Sequence, residues 1–238
     1  MKNKKYCFIV ILHLENVNKI NMSDNKKQEL IDGGRLMQNH GLVVASWGNM
    51  SFRGDNGNII IKPSGVDYSQ MTTEDLIEID SNGNVVDSSN KREPSSEWRM
   101  HVAIYKNRPE IRSIFHVHSP FATSLAVAQK NLPACLEDVV QIIGGEVRVT
   151  DYKMTGTQDF ADEVVDKLHD RMAALLANHG MVACGRDIQE AIHAVLVVEK
   201  AAQIFIQASS LGPSHSLSVK DVAKMREFYL SKYYQPKG

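Results

Sequence analysis

Three histidines of this chain stand where side chains can do chemistry. His116 and His118 lie two apart in the apolar run "EIRSIFHVHSPFATSLAV", residues 110 to 127. On a strand, positions i and i+2 share a face, so both imidazoles point the same way. His179 sits where a second apolar run, "ALLANHGMVACG", meets a glycine. Three histidines with a fourth position left open are the donor set of a catalytic zinc ion. The plainer alternative is that His116 and His118 are hydrogen-bonded core residues and His179 a turn residue. A second feature lies upstream. In "EPSSEWRMHVAIY" a proline and two serines stand where a helix begins, and Glu97 falls in its first turn. Free amides and the positive end of the helix dipole make such a spot receptive to an anion. Ser95-Ser96-Glu97 lacks the spacing of a capping box. Two hydroxyls beside unpaired amides suit a phosphate, and two small-residue turns offer to complete the cradle: Gly48 and Asn49 with Ser51 in "WGNMS", and Ser64 with Gly65 in "KPSG". His101, one helical turn after Glu97, is either a supporting partner of that carboxylate or a satisfied helix histidine. Lys62 invites comparison with a Schiff-base nucleophile, but a snorkelling or salt-bridged lysine is the commoner case.

The elements that must position these residues are legible in outline. Residues 24 to 39 read as a helix despite Gly33-Gly34, with Gly41 as its stop. "NMSFRGDNGNIIIKPSG" and "LIEIDSNGNVVD" read as hairpins with Asn-Gly turns. A helix is predicted from Ser96 to Lys106, a strand from Ser113 to His118, and a helix from Pro120. Further helices are predicted over 158–169, 187–209 and 219–230, the last leading into an aromatic tail, Tyr233-Tyr234. Strands interleave with helices, so the class is α/β, a layered sheet between helices.

Composition narrows the function classes. The 238 residues carry 27 Lys and Arg against 28 Asp and Glu, a net charge of −1. That leaves no electrostatic footprint for nucleic acid. Cys7, Cys135 and Cys184 form no CxxC pair and imply a reducing, cytoplasmic compartment. The basic start "MKNKKYCFIVILHL" mimics a signal peptide, but its apolar run is short and no small-residue cleavage site follows. It is far too short to cross a bilayer, so no membrane partner is expected. "MSDNKKQEL", from Met22, reads like a natural start. Residues 1–21 are therefore expected to be an extension outside the fold, and residues 22–238 a single domain.

Taken in order, "GNMSFR", "KPSG", "PSSEWRMH", "HVHS" and "NHG" resemble the class II aldolase/adducin family over residues 24 to 235. The "PSSEW" form, with Glu, is similar to fuculose-phosphate aldolases, whereas related pentulose-phosphate epimerases carry Asp there. The resemblance implies a single-domain α/β/α sandwich with a mixed, largely antiparallel sheet. It implies one Zn²⁺ per subunit on His116, His118 and His179, with Glu97 beside it as the proton-transfer group. The substrate phosphate would lie on Gly48, Asn49, Ser64, Gly65, Ser95 and Ser96. A tail tyrosine from a neighbouring subunit, Tyr233 or failing that Tyr234, would act near the aldehyde oxygen, which requires an oligomer, a homotetramer by family.

The implied reaction is reversible cleavage of a ketose 1-phosphate to dihydroxyacetone phosphate and an aldehyde. Two alternatives keep the same metal: epimerisation of a pentulose 5-phosphate and decarboxylation of a sugar-acid phosphate. A third, a non-catalytic adducin-like scaffold, is disfavoured by the intact histidines. The chain departs from the fuculose pattern in "LPACLEDVVQIIGG" and "YKMTGT", where aromatic residues are expected and Leu136-Glu137-Asp138 and Met154 stand instead. These stretches are expected to shape the aldehyde side, so a 5-deoxy or methylthio pentulose phosphate is a natural candidate.

Overall fold

The computed structural model describes residues 24–87 and 90–233. The proposed extension at residues 1–21 and Tyr234 lie outside the described residues. Helix α1 spans 24–39 and is followed by strands β1 (Asn49–Arg53), β2 (Ile59–Ile61) and β3 (Ile77–Ile79). Then come α2 (Trp98–Asn107), β4 (Ser113–Val117), α3 (Pro120–Val127), α4 (Glu137–Ile143) and α5 (Gln158–Leu168). Strands β5 (Ala173–Leu176) and β6 (Gly180–Gly185), then helices α6 (Ile188–Leu211) and α7 (Val219–Phe228), complete it.

The strands form one sheet in the order β3-β2-β1-β4-β6-β5. Every ladder in it is antiparallel, and the parallel component expected of a mixed sheet shrinks to a single bridge, Val149 to Leu175. Helices α2 and α5 pack together, with α2 bonded to the sheet through Ser51, while α1, α3 and α6 cover the other face. This is the expected α/β/α sandwich. The glycine pair inside α1 has a packing reason. A side-chain carbon at Gly33 would stand 2.8 Å from both Ile192 and Phe115, and one at Gly34 2.6 Å from the Met50 sulfur. The helix lies so close to the sheet that its propensity cost of about 1 kcal/mol per glycine is overridden.

Three expectations shift. Helix α2 begins at Trp98 rather than Ser96, so Glu97 is its N-cap residue and not part of its first turn. The second hairpin reduces to β3 and a lone bridge from Ile79 to Val85. Helix α4 was not foreseen: its seven residues open with two acids and close at Gly144 in a left-handed conformation, in a segment too short for a clear period. Helix α6 is long and apolar enough to cross a membrane by composition, but it buries Ala191, Ala194, Val195, Val198, Ala201 and Ala202 against the sheet and the helices beside it.

Candidate active site

The register of the sheet assembles the histidines. Asn49 pairs with His116, and His116 with Val182, across β1, β4 and β6. His118 follows β4 by one residue, and His179 ends the turn between β5 and β6. Gly180 is required there, since a side-chain carbon would collide with the Val117 carbonyl and reach within 3.0 Å of His118. That close approach sets His179 against the end of β4. The three rings lie 4.5, 4.8 and 4.8 Å apart, centroid to centroid.

Their nitrogens converge. Nε2 of His116 is 3.0 Å from Nε2 of His118 and 3.2 Å from Nε2 of His179. His116 donates from Nδ1 to the Met181 carbonyl at 2.9 Å, so its proton is on Nδ1 and its Nε2 lone pair faces the other two rings. One lone pair cannot satisfy two N–H donors at once, whereas a shared cation satisfies all three nitrogens. A tetrahedral ion with Zn–N bonds of about 2.0–2.1 Å separates its nitrogens by about 3.3 Å, close to the two spacings found. Burial, reinforced by the neighbouring rings, pushes His116 and His179 down to about 3, and burial lowers His118 as well. All three are thus held as neutral imidazoles, the form that ligates a metal. The residues present fit a divalent ion.

Glu97 stands beside this cluster. Its Oε2 lies 3.2 Å from His116 Nε2 and its Oε1 3.7 Å from His179 Nε2. At the N-cap of α2 its side chain makes no capping bond and turns inward instead. Oε2 accepts from Asn49 Nδ2 at 2.7 Å, while Oε1 is buried without a hydrogen-bond partner.

Three turns distant in sequence make one wall. Pro63 bridges Pro94, Ser64 N–H donates to the Glu93 carbonyl, and Ser95 N–H donates to the Lys62 carbonyl. The "KPSG" and "PSSE" turns are thereby stitched side by side like strands. Lys62 ties in the third turn, donating from Nζ to the carbonyls of Ser46 (2.9 Å) and Pro63 (3.2 Å). In that third turn Gly48 has φ +74°, and a side-chain carbon there would stand 2.7 Å from the His116 carbonyl, so only glycine lets the loop cross β4. The result is a cavity of about 280 Å³. Gly48, Asn49, Ser64, Gly65, Ser95 and Ser96 all line it, with Glu97, His118 and His179 at its metal end.

Lys62 departs from expectation. It neither snorkels nor pairs with a carboxylate: it is 1% exposed, and burial pushes it down to about 8. The apolar "NIII" before it marks the buried strand β2, Ile59–Ile61, but the route of Lys62 to water is closed by the neighbouring turns at Ser46 and Pro63. Of the two stretches expected to shape the aldehyde side, "YKMTGT" places Thr155 in the cavity wall, whereas no residue of "LPACLEDVVQIIGG" lines it. Asn49 gives its amide to Glu97 as well as facing the cavity, a double duty not foreseen. Tyr233 closes a π-helical turn, Tyr229–Tyr233, and its side chain lies outside the described residues.

The profile of the class II aldolase and adducin N-terminal domain matches residues 28–206. The chain belongs to this family. It is 34% identical over 208 residues to a 5-deoxy-D-ribulose 1-phosphate aldolase of Bacillus thuringiensis, covering 86% of this chain and 96% of that one. A 5-methylthioribulose-1-phosphate/5-deoxyribulose-1-phosphate aldolase of Rhodospirillum rubrum is 32% identical, with 83% and 88% covered. A solved L-fuculose 1-phosphate aldolase superposes with a TM-score of 0.83 at 34% identity, covering 87% of this chain and 97% of that chain. By its named relatives the chain is an enzyme, a class II, metal-dependent lyase.

Proposed function

We propose that this chain is a zinc-dependent aldolase that reversibly cleaves a ketose 1-phosphate to dihydroxyacetone phosphate and an aldehyde. The observation that carries the reading is the convergence of three neutral imidazoles beside Glu97, at one end of a cavity walled by serine and glycine turns. Zinc held by His116, His118 and His179 would supply a Lewis acid to the negative charge that develops on the three-carbon fragment.

This chain's own residues do the rest. Backbone amides and hydroxyls of the three stitched turns bind the phosphate, and the buried Lys62 adds positive charge behind them. That fixes the C3–C4 bond of the substrate near Glu97. When the bond breaks, its electron pair stays on C3 and the C4 hydroxyl loses its proton as the aldehyde forms. Glu97 delivers a proton to C3, completing dihydroxyacetone phosphate. The C4 hydroxyl proton is taken by the phenolate of Tyr233 from a neighbouring subunit, and exchange with water then removes that proton and returns one to Glu97, so the cycle closes without net proton change. The assembly is a cytoplasmic homotetramer, with residues 22–238 as the catalytic domain and residues 1–21 outside it.

The preferred substrate is a 5-deoxy or 5-methylthio pentulose 1-phosphate rather than L-fuculose 1-phosphate. The support is that the two sequence relatives named above, from Bacillus thuringiensis and Rhodospirillum rubrum, carry 5-deoxyribulose 1-phosphate in their names, together with Met154 in place of an aromatic residue beside the cavity-lining Thr155. Purified protein should carry about one zinc per subunit and release dihydroxyacetone phosphate from a panel of ketose 1-phosphates. Turnover untouched by complete metal removal rejects the zinc mechanism. Formation of an epimer or of carbon dioxide, with no three-carbon product by NMR, gives the site to the epimerase or decarboxylase alternative.

A further inference from the structure

Behind Glu97 runs a line of polar side chains that the reaction as described leaves unused. Asn49 Nδ2 reaches Glu97 Oε2 at 2.7 Å, and Asn49 Oδ1 lies 2.5 Å from His101 Nε2. His101 Nδ1 lies 2.7 Å from Ser51 Oγ, which is 2.8 Å from the Tyr105 hydroxyl. All five residues are buried, and His101 and Ser51 are wholly shielded from solvent. Two periodicities build the line. Glu97, His101 and Tyr105 are spaced i, i+4, i+8 along α2, and Asn49 and Ser51 share one face of β1.

The chemistry of the two ends gives the line a direction. A carboxylate only accepts, so the Asn49 amide nitrogen faces Glu97 and its oxygen faces His101. His101 must then donate from Nε2 and accept at Nδ1, Ser51 donates to His101, and Tyr105 donates to Ser51. The far end agrees: among the described residues, Ser51 is the only hydrogen-bond partner of the Tyr105 hydroxyl. In the reverse direction that hydroxyl would have no acceptor. Every bond therefore points its hydrogen toward the carboxylate, and such aligned bonds strengthen one another. A chain of this kind in an otherwise apolar layer is not the cheapest way to fill the space between a helix and a sheet, since apolar side chains of equal volume need no partners.

We propose that His101, backed by Ser51 and Tyr105, is a positioning residue that locks the Asn49 amide onto Oε2 of Glu97 and so leaves Oε1 as the oxygen that transfers the proton. The idea rests on the aldolase reading for the identity of the reaction, but the chain itself is a property of the protein. A freely turning carboxylate would present either oxygen to the substrate. With Oε2 held by a neutral donor, the unpartnered Oε1 is the oxygen left free to transfer the proton.

The first test needs no turnover. In metal-free protein labelled with ¹⁵N-histidine, His101, assigned by its absence from His101→Gln, should appear as the neutral Nε2–H tautomer. An Nδ1–H tautomer overturns the proposal. The second test compares His101→Leu with His101→Gln, whose amide can still donate to Asn49. The Leu variant should lose about 10-fold to 100-fold in kcat, the scale of supporting residues around a metal site, with KM and zinc content held within about twofold. The Gln variant should recover most of that loss. Equal loss in both, or a loss carried by KM or zinc content, overturns positioning. Tyr105→Phe, at the far end, should cost about twofold to threefold in kcat; an effect larger than that of His101→Leu counts against a chain that ends at Tyr105. Should the wild-type protein release no dihydroxyacetone phosphate, the aldolase reading falls, and the tautomer still decides the chain.

Discussion

Two of the buried glutamates that stand at helix N-termini in this molecule, Glu97 and Glu199, are used in opposite ways. Glu199 of α6 reaches across to α3 and accepts from the N–H groups of Phe121 and Ala122, both at 2.9 Å, one to each carboxylate oxygen. It neutralises the start of the helix that follows His118 and Ser119, and nothing in it is left over. Glu97 occupies the N-cap of α2 and declines that role. One oxygen is held by Asn49, and the other is buried with no hydrogen-bond partner, 3.7 Å from His179. A carboxylate with both oxygens satisfied is there to hold the fold. One with an oxygen unsatisfied at a solvent-lined cavity is there for chemistry, because leaving it so costs stability that no packing returns.

The contrast can be tested by exchanging the expected losses. Glu97→Gln should lower turnover by about 10²-fold or more, the usual scale of general acid–base catalysis, while zinc stays bound and the urea unfolding midpoint holds or rises. A variant with unchanged proton exchange at C3 of dihydroxyacetone phosphate would hand the proton transfer to another group. Glu199→Ala should do the reverse. It strands the buried N–H of Ala122, worth about 1–3 kcal/mol, and the half-buried N–H of Phe121, worth less, so stability should fall by roughly 2–4 kcal/mol while the folded fraction keeps its kcat at 25 °C. If Glu199→Ala instead removes activity from fully folded protein, the division of labour drawn above is wrong.

The cavity walls offer a smaller effect. Lys62→Met keeps the stem and removes the charge, so KM should rise about tenfold, on the order of one lost charge-assisted contact, with kcat changed less. Since burial sets the Lys62 ammonium at about 8, the wild-type KM should climb as pH passes 8, where that charge is lost, and the Met variant should lack this limb. The smallest effect concerns acid. Burial pushes His101 down to about 3, against about 6.5 in an unfolded chain. Below pH 6.5 the unfolded state binds a proton that the folded state refuses. The stability of chelated protein should therefore be greatest above pH 6.5 and decline as pH falls toward 3, by up to about 1.4 kcal/mol per pH unit from this ring alone. Urea titrations of wild type and His101→Gln should differ by about one proton taken up on unfolding between pH 5 and 6. Identical slopes would mean that His101 is not held neutral.

Much of this was legible in residue order. Strand β4 and helix α3 were marked by an apolar run and by Ser119-Pro120, and α1 by its period and Gly41. His116 and His118 had to share a face because strand geometry alternates. Helix α4 was not legible, because seven residues are too few to display a period. The burial of Lys62 was missed because a lysine after three isoleucines reads as a stem reaching for water, and only the neighbouring turns close that route.

By itself, then, the sequence determined local conformation, the family, and the list of groups able to bind a metal and a phosphate. Those follow from spacing, turn chemistry and side-chain type, which act over a few residues. Tertiary structure alone decided that His179, 61 positions beyond His118, completes the nitrogen cluster, that three turns are stitched into one wall, and that Asn49, His101, Ser51 and Tyr105 line up behind Glu97. The reason is physical. Strand register and helix packing convert separations of tens of residues into hydrogen-bond distances, and only after that conversion does a histidine on a helix become either a filler of the core or part of a chain that ends on a carboxylate.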